Sequence, residues 1–226
     1  VPRLAALEID PQAAAQAYTF TLAADALLHF DSRTDSAAVF WTLAGPSGTI
    51  VSARPFAASD AFGTEDPVLS LPAGAYLLSV WSSGGSRDYA FALLDLASGQ
   101  TLTPGAPVAA AVLPGNASAL YRFNAAAGDE FFFDVRSGTP NALWRLVAPS
   151  GYVLFSQDFA TDHDTLALVE RGVYTVMIEG AVNAPRPVPF AFNVQRVPLA
   201  ATRCEIVEID PATGRELRRF GAPGAF

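Results

Sequence analysis

Two stretches decide the fold: Phe30–Gly48, FDSRTDSAAVFWTLAGPSG, and Phe133–Gly151, FDVRSGTPNALWRLVAPSG. They lie 103 residues apart and begin, centre and end on the same residues: Phe-Asp-x-Arg, Trp-x-Leu and Pro-Ser-Gly. Extended outward at that spacing, Ala6–Val51 aligns with Ala109–Leu154 without a gap and matches at 15 of 46 positions. Tyr18 and Phe20 fall on Tyr121 and Phe123. Self-similarity at a fixed period marks a duplicated folding unit, and a period of about 100 residues is the size of a domain, not of a solenoid rung. Two tandem copies of one module are therefore expected.

Within each copy the period is two. Tyr18-Thr19-Phe20-Thr21-Leu22 and Tyr121-Arg122-Phe123-Asn124 alternate apolar and polar side chains, the signature of strands with one face on a core and one in water. Further short apolar runs, among them Ala38–Leu43, Tyr76–Trp81, Ala142–Val147 and Val173–Glu179, are separated by turn residues. Seven or eight short strands per copy, without an amphipathic helix, predict an all-β chain of two tandem jelly-roll-like β-sandwiches. The alanine runs Ala13–Ala15 and Ala109–Ala111 are too short to nucleate a helix and are read as loop or edge strand. Pro46-Ser47-Gly48 predicts a tight hairpin, and Gly74 and Gly172 lead into equivalent strands. The connection between them is five residues shorter in the second copy. The expected boundaries are 1–98 and 107–198 for the two sandwiches, joined by a short proline-bearing, semi-rigid linker. Residues 199–226 form an extra hairpin or the start of a following domain.

Composition bounds the function. The net charge is −8, and every one of the 14 basic residues is arginine. Scattered arginines on an acidic chain offer no stripe for a phosphate backbone, so nucleic acid is excluded as an expected partner. No apolar run reaches the roughly 18 residues of a membrane span, so membrane insertion is not expected. The single cysteine, Cys204, precludes an intrachain disulfide or a cysteine zinc site. The chain opens Val1-Pro2-Arg3, and we expect it to be an excerpt or processed product of a longer protein.

The order of motifs Y-x-F, F-D-x-R, W-x-L-x-x-P-S-G and G-x-Y resembles that of bacterial pre-peptidase C-terminal (PPC-like) domains strung in tandem through large secreted or surface proteins. The resemblance covers about Leu4–Leu96 and Val108–Val197. It implies a sandwich of about eight strands, an extracellular or cell-surface location, and an accessory, adhesion-associated role. The domains' partners would be neighbouring domains of the parent chain, surface carbohydrate or protein. The tail, with Asp210-Pro211-Ala212-Thr213-Gly214 between two apolar stretches, resembles the opening hairpin of a β-propeller blade.

Candidate chemistry is sparse. Only two histidines occur, His29 in an apolar strand and His163 in an acidic loop, and there is no Gly-x-Ser-x-Gly elbow. A hydrolase would need one of them within reach of a serine and a carboxylate in a cleft. Without lysine, Schiff-base chemistry is ruled out, and no enzyme is expected. Asp158, Asp162 and Asp164 are the candidate metal ligands, hard oxygen donors suited to calcium; Asp60, Glu65 and Asp66 occupy the corresponding loop of the first copy. No other cofactor is expected. Asp31/Arg33 and Asp134/Arg136 recur as i, i+2 pairs and read as ion pairs at strand ends. Trp41 and Trp144 read as core. Trp81, ending a strand beside Ser82–Ser86, is the candidate ligand-binding aromatic. The leading expectation is a non-catalytic structural or interaction module, a spacer. A carbohydrate- or calcium-binding accessory module is the alternative, and a hydrolase fragment the second alternative.

Overall fold

The computed structural model describes residues 7–8, 15–64, 66–85, 87–184, 186–198, 206–213 and 216–220. The fold is all-β. In the first copy the strands are β1 (Leu7–Glu8), β2 (Gln16–Leu22), β3 (Ala26–Ser32), β4 (Val39–Gly45), β5 (Gly48–Pro55), β6 (Val68–Leu71), β7 (Gly74–Ser82), β8 (Asp88–Tyr89) and β9 (Phe91–Asp95). The linker carries β10 (Gln100–Thr101). The second copy has β11 (Val108–Val112), β12 (Ser118–Ala125), β13 (Glu130–Ser137), β14 (Ala142–Val147), β15 (Val153–Asp158), β16 (His163–Ala167), β17 (Gly172–Gly180) and β18 (Val188–Val197). The tail forms β19 (Ile206–Ile209) and β20 (Glu216–Phe220), which pair with each other.

The duplication extends to topology. The first copy stacks a sheet of order β2-β7-β4-β5 on one of order β6-β3-β9; the second stacks β12-β17-β14-β15 on β11-β18-β13-β16. The linker strand β10 adds to the edge of the second copy's first sheet, parallel to β12. The alanine-rich β11 is an edge strand on β18; Ala13 and Ala14 lie outside the described residues.

Alternation places each core. Trp41, Leu43, Tyr76, Leu78 and Val80 meet Leu28, Phe30 and Phe91 in one core. Trp144, Leu146, Tyr174, Val176 and Ile178 meet Phe131, Phe133 and Phe192 in the other. Both tryptophans are fully buried. Aromatic rings dominate: Phe30 stacks on Trp41 at 3.9 Å between centroids, and Phe133 meets Trp144 edge-on at 6.2 Å. The Pro-Ser-Gly turn and the later glycine recur together because they touch. Gly74 and Gly172 both have φ of 151°, and a Cβ at either would lie 2.3 Å from Pro46 Cγ or 2.8 Å from Pro149 Cγ. The tyrosine two residues on, Tyr76 or Tyr174, donates to the carbonyl of Pro72 or Glu170.

Candidate functional site

The densest collection of buried chemistry lies between the two sandwiches. On β3, Leu28 and Phe30 enter the first core, so alternation turns Leu27, His29 and Asp31 the other way. On β14 and β17, Trp144, Leu146 and Ile178 fill the second core, which turns Arg145, Val147 and Glu179 outward. These outward residues meet. Val68, Leu96 and Val147 form a buried apolar cluster flanked by Leu27 and Val153. Beside it His29, Asp31, Arg145 and Glu179 are all buried, each at most 1% exposed.

Arg145 is the centre. Its Nη1 donates to Glu179 Oε2 at 2.5 Å and its Nε to Ser156 Oγ at 3.0 Å. Its Nη2 donates across the junction to the carbonyls of Ala61 and Thr64. Those carbonyls sit in the connection that is five residues longer in the first copy, so the extra length is spent on covering Arg145. His29 Nε2 lies 3.4 Å from Glu179 Oε1 and 3.2 Å from Ser118 Oγ, while Nδ1 is 3.0 Å from the carbonyl of Pro67. Ser118 Oγ donates to Asp31 Oδ1 at 3.1 Å, and Arg33 closes on Asp31 Oδ2 at 2.9 Å. Asn116 donates to the carbonyl of Arg33 at 3.0 Å, and Arg122 donates to that of Ala97.

The electrostatics follow from this packing. Burial alone would lower the His29 pKa, but the charges of Glu179 and Asp31 outweigh it and hold the imidazole above its ordinary value. Burial likewise opposes ionised Glu179, yet His29 and Arg145 keep its pKa below the usual carboxylate range. Burial raises Asp31. Asp60, 4% exposed at the rim, is pushed up to about 6 by burial and by the nearby Glu179 charge. His29, Arg145 and Arg33 thus face Asp31 and Glu179, with the Asp60 carboxyl pushed up to about 6 beside them.

This is not a Ser-His-Asp triad. Ser118 and Glu179 both address Nε2, and Nδ1 is given to a backbone carbonyl, so among the described residues no carboxylate orients the ring from behind. The group is buried rather than open to a cleft. The donor atoms of His29, Asp31 and Glu179 lie within 4.8 Å of one another, a set that suits zinc or iron in principle. Here each carboxylate already faces a guanidinium at hydrogen-bond distance, so the two arginines balance the two carboxylates. The arrangement clamps two surfaces.

Of the residues singled out from sequence, His29, Asp31, Arg33 and Asp60 belong to the junction; the calcium and aromatic candidates lie elsewhere. Asp162 accepts from the backbone N–H of Val135 at 2.7 Å, Asp164 from that of Thr165 at 2.7 Å, and Asp158 is exposed at the end of β15. Each observed bond ties a carboxylate to backbone, and among the described residues these three do not converge as a ligand set. Asp60 belongs to the junction, and Glu65 lies outside the described residues. His163 stacks on Phe155 at 4.0 Å and bonds Gln157 at 2.8 Å. Trp81 is half-buried on the far side of the first sandwich, stacked on Phe40 at 5.8 Å. Sequence reading missed Arg145 and Glu179. The available signal was the comparison of copies: their equivalents are Thr42 and Trp81, and that of His29 is Phe132.

No known family profile matches the chain, and no curated protein matches it. Solved structures with partial likeness include PliG of Aeromonas hydrophila, a periplasmic inhibitor of g-type lysozyme: 17% identity, 43% of this chain and 94% of that one, TM-score 0.38. PliG of Salmonella Typhimurium gives 16%, 43%, 96% and 0.35. The CUB1-EGF-CUB2 region of human MASP-1/3 covers 85% of this chain and 99% of its own, at 8% identity and TM-score 0.30. These likenesses are too distant to carry a function across.

Proposed function

We propose that the chain is a non-catalytic structural unit of a large bacterial secreted or surface protein, a two-module spacer of fixed geometry in a PPC-like array. The observation that carries this reading is the buried clamp of His29, Asp31, Arg145 and Glu179 between the sandwiches. A flexible pair of modules has no use for four buried ionisable side chains at its joint, because each is costly to desolvate unless its partner is held in place. The linker supports the same reading: β10 is hydrogen-bonded into the second sandwich, so no free tether separates the modules.

The test is a pair of spin labels, one at Thr21→Cys and one at Ala167→Cys, in a Cys204→Ser background, read by double electron–electron resonance. One narrow distance distribution is expected. A broad distribution in the intact chain overturns the spacer. A glycan array in calcium buffer addresses the rival role: binding to one glycan class that is abolished by Trp81→Ala would replace the spacer with a carbohydrate-binding module.

A further inference from the structure

Each sandwich has two outer faces, and the junction uses one from each. The face of β3 and β9 in the first copy is covered by the face of β14 and β17 in the second. Among the described residues, those left open are the face of β4 and β7 in the first copy and, in the second, the face of β13 and β18 around Phe132, where only Asn193 is covered, by the linker carbonyl of Gly105. By topology these open faces are the counterparts of the two that already bind each other, in the opposite order.

The substitutions on the open faces are matched. In the junction His29 lies against Glu179. On the open faces His29 is replaced by Phe132 and Glu179 by Trp81; the strand registers Phe40↔Trp81 and Leu143↔Glu179 fix the latter correspondence. Arg145 is replaced by Thr42. The positions of the junction's ionic pair are both aromatic on the open faces. Asp134, the counterpart of Asp31, keeps its arginine, Arg136, at 3.0 Å and gains Gln195 at 3.0 Å, so its charge is already satisfied.

The open face of the first copy is also uncharged. The outward positions of β2, β4 and β7 hold only Ala, Thr, Ser, Phe, Leu and Trp. Leu77 is 42% exposed there, beside a depression of about 450 Å³ among Thr19, Thr21 and Ala44. On a chain of charge −8, a neutral apolar face is where a like-charged copy meets least repulsion and least desolvation cost.

We propose that the open β4–β7 face of the first sandwich binds the open β13–β18 face of the second sandwich in another copy of this chain, head to tail, with Trp81 against Phe132. Such a contact is heterologous. It does not consume itself in a dimer but propagates, each added copy presenting the same free face. The buried charges of the junction exclude the wrong pairing, since Phe132 in the place of His29 would take from Glu179 its second partner and from Arg145 the carbonyls of Ala61 and Thr64.

Sedimentation of the 226-residue chain from about 5 μM to about 1 mM spans the affinities of small transient interfaces. The average mass should climb past that of a dimer. Trp81→Asp and Phe132→Asp should each reduce association at least tenfold. Mixed together, the two variants should recover a 1:1 dimer that grows no further, because each retains one intact face. Circular dichroism confirms that each variant is folded; Leu77→Asp, at an exposed position, replaces Trp81→Asp if it is not. A wild type monomeric throughout, a species that stops at two, or a mixture that stays monomeric overturns the proposal. Thr21 and Ala167 lie on the two open faces, so the spin-label distance is read with labelled chain diluted into excess unlabelled chain; it then reports one chain alone, and the spacer reading stands or falls separately.

Discussion

β4 and β14 are the same strand of the same module, yet they differ in burial. Along β4 buried residues alternate with half-exposed ones; along β14 all six residues are buried. The inward side is unchanged, Trp41 and Leu43 matching Trp144 and Leu146. What differs is the other side, where Thr42 faces out and Arg145 faces a neighbouring sheet. The same holds for β7 and β17, with Trp81 at the place of Glu179. Duplication supplied identical plans, and the partner stacked on one face then decided which residues that face requires.

The strongest way to break this comparison is to remove the same position from both strands. Arg145→Ala leaves the Glu179 carboxylate buried beside a single partner and strips donors from Ser156, Ala61 and Thr64. Removing one member of a buried ion pair costs about 3–5 kcal/mol. Thr42→Ala loses only a bond to the N–H of Ala53, worth about 1 kcal/mol or less. Urea unfolding of both variants measures the gap; equal losses would mean the junction adds no constraint of its own.

The titration of the junction sharpens the comparison, because the corresponding positions Phe132, Thr42 and Trp81 carry no charge. The His29 pKa is raised above 6.5 in the folded state, so its stabilisation is complete below that value and is lost as pH rises through the folded pKa. Asp60 moves from 3.8 up to about 6, so its share of the stability declines as pH rises from about 4 to 6; Asp31 is raised as well and acts in the same sense. Glu179 is lowered from 4.5 and acts in the opposite sense, its contribution vanishing as pH falls through its folded value. The clamp is therefore strongest in mildly acid solution and weakens toward alkaline pH. His29→Gln should cost more at about pH 5.5 than at about pH 9. Parallel stability curves for wild type and variant would refute a charged His29.

Much of the fold was legible because the repeat reports it locally. Pro46-Ser47-Gly48 and Gly74 signalled a turn and a strand entry, and their contact explains why both survive in both copies. The all-β pattern followed from alternation, the buried Trp41 and Trp144 from their matching strand positions, and the edge strand at Ala109–Ala111, one of the two readings left open, from a run too short to nucleate a helix. The junction was not legible, because each member is ordinary within its own copy. His29 sits in an apolar strand, Arg145 in another, and Glu179 ends a third. Burial on both faces is a property of stacking, which periodicity along one strand does not encode. Treating the mismatches of the self-alignment as data, rather than its matches, would have pointed to positions 29, 145 and 179. The acidic loop holding Asp158, Asp162 and Asp164 drew notice through composition, but the bonds of Asp162 and Asp164 are to neighbouring backbone.

The smallest expected effect concerns the motif that both copies share. Asp31/Arg33 and Asp134/Arg136 are the same i, i+2 pair with nearly the same geometry, 2.9 Å and 3.0 Å. Their surroundings differ: Asp31 is fully buried and Arg33 13% exposed, against 22% for Asp134 and 49% for Arg136. Water screens the outer pair, so a double-mutant cycle of Arg136→Ala and Asp134→Asn should return a coupling of about 0.5 kcal/mol or less. The cycle of Arg33→Ala and Asp31→Asn should return more, about 1–2 kcal/mol, because the junction removes solvent from one partner. Salt separates the two further. At about 1 M the Debye length is near 3 Å, which erases an exposed pair and leaves a covered one. Equal couplings with equal salt sensitivity would mean that the second sandwich does not shield Asp31, and the difference between β3 and β13 would then lie in sequence alone.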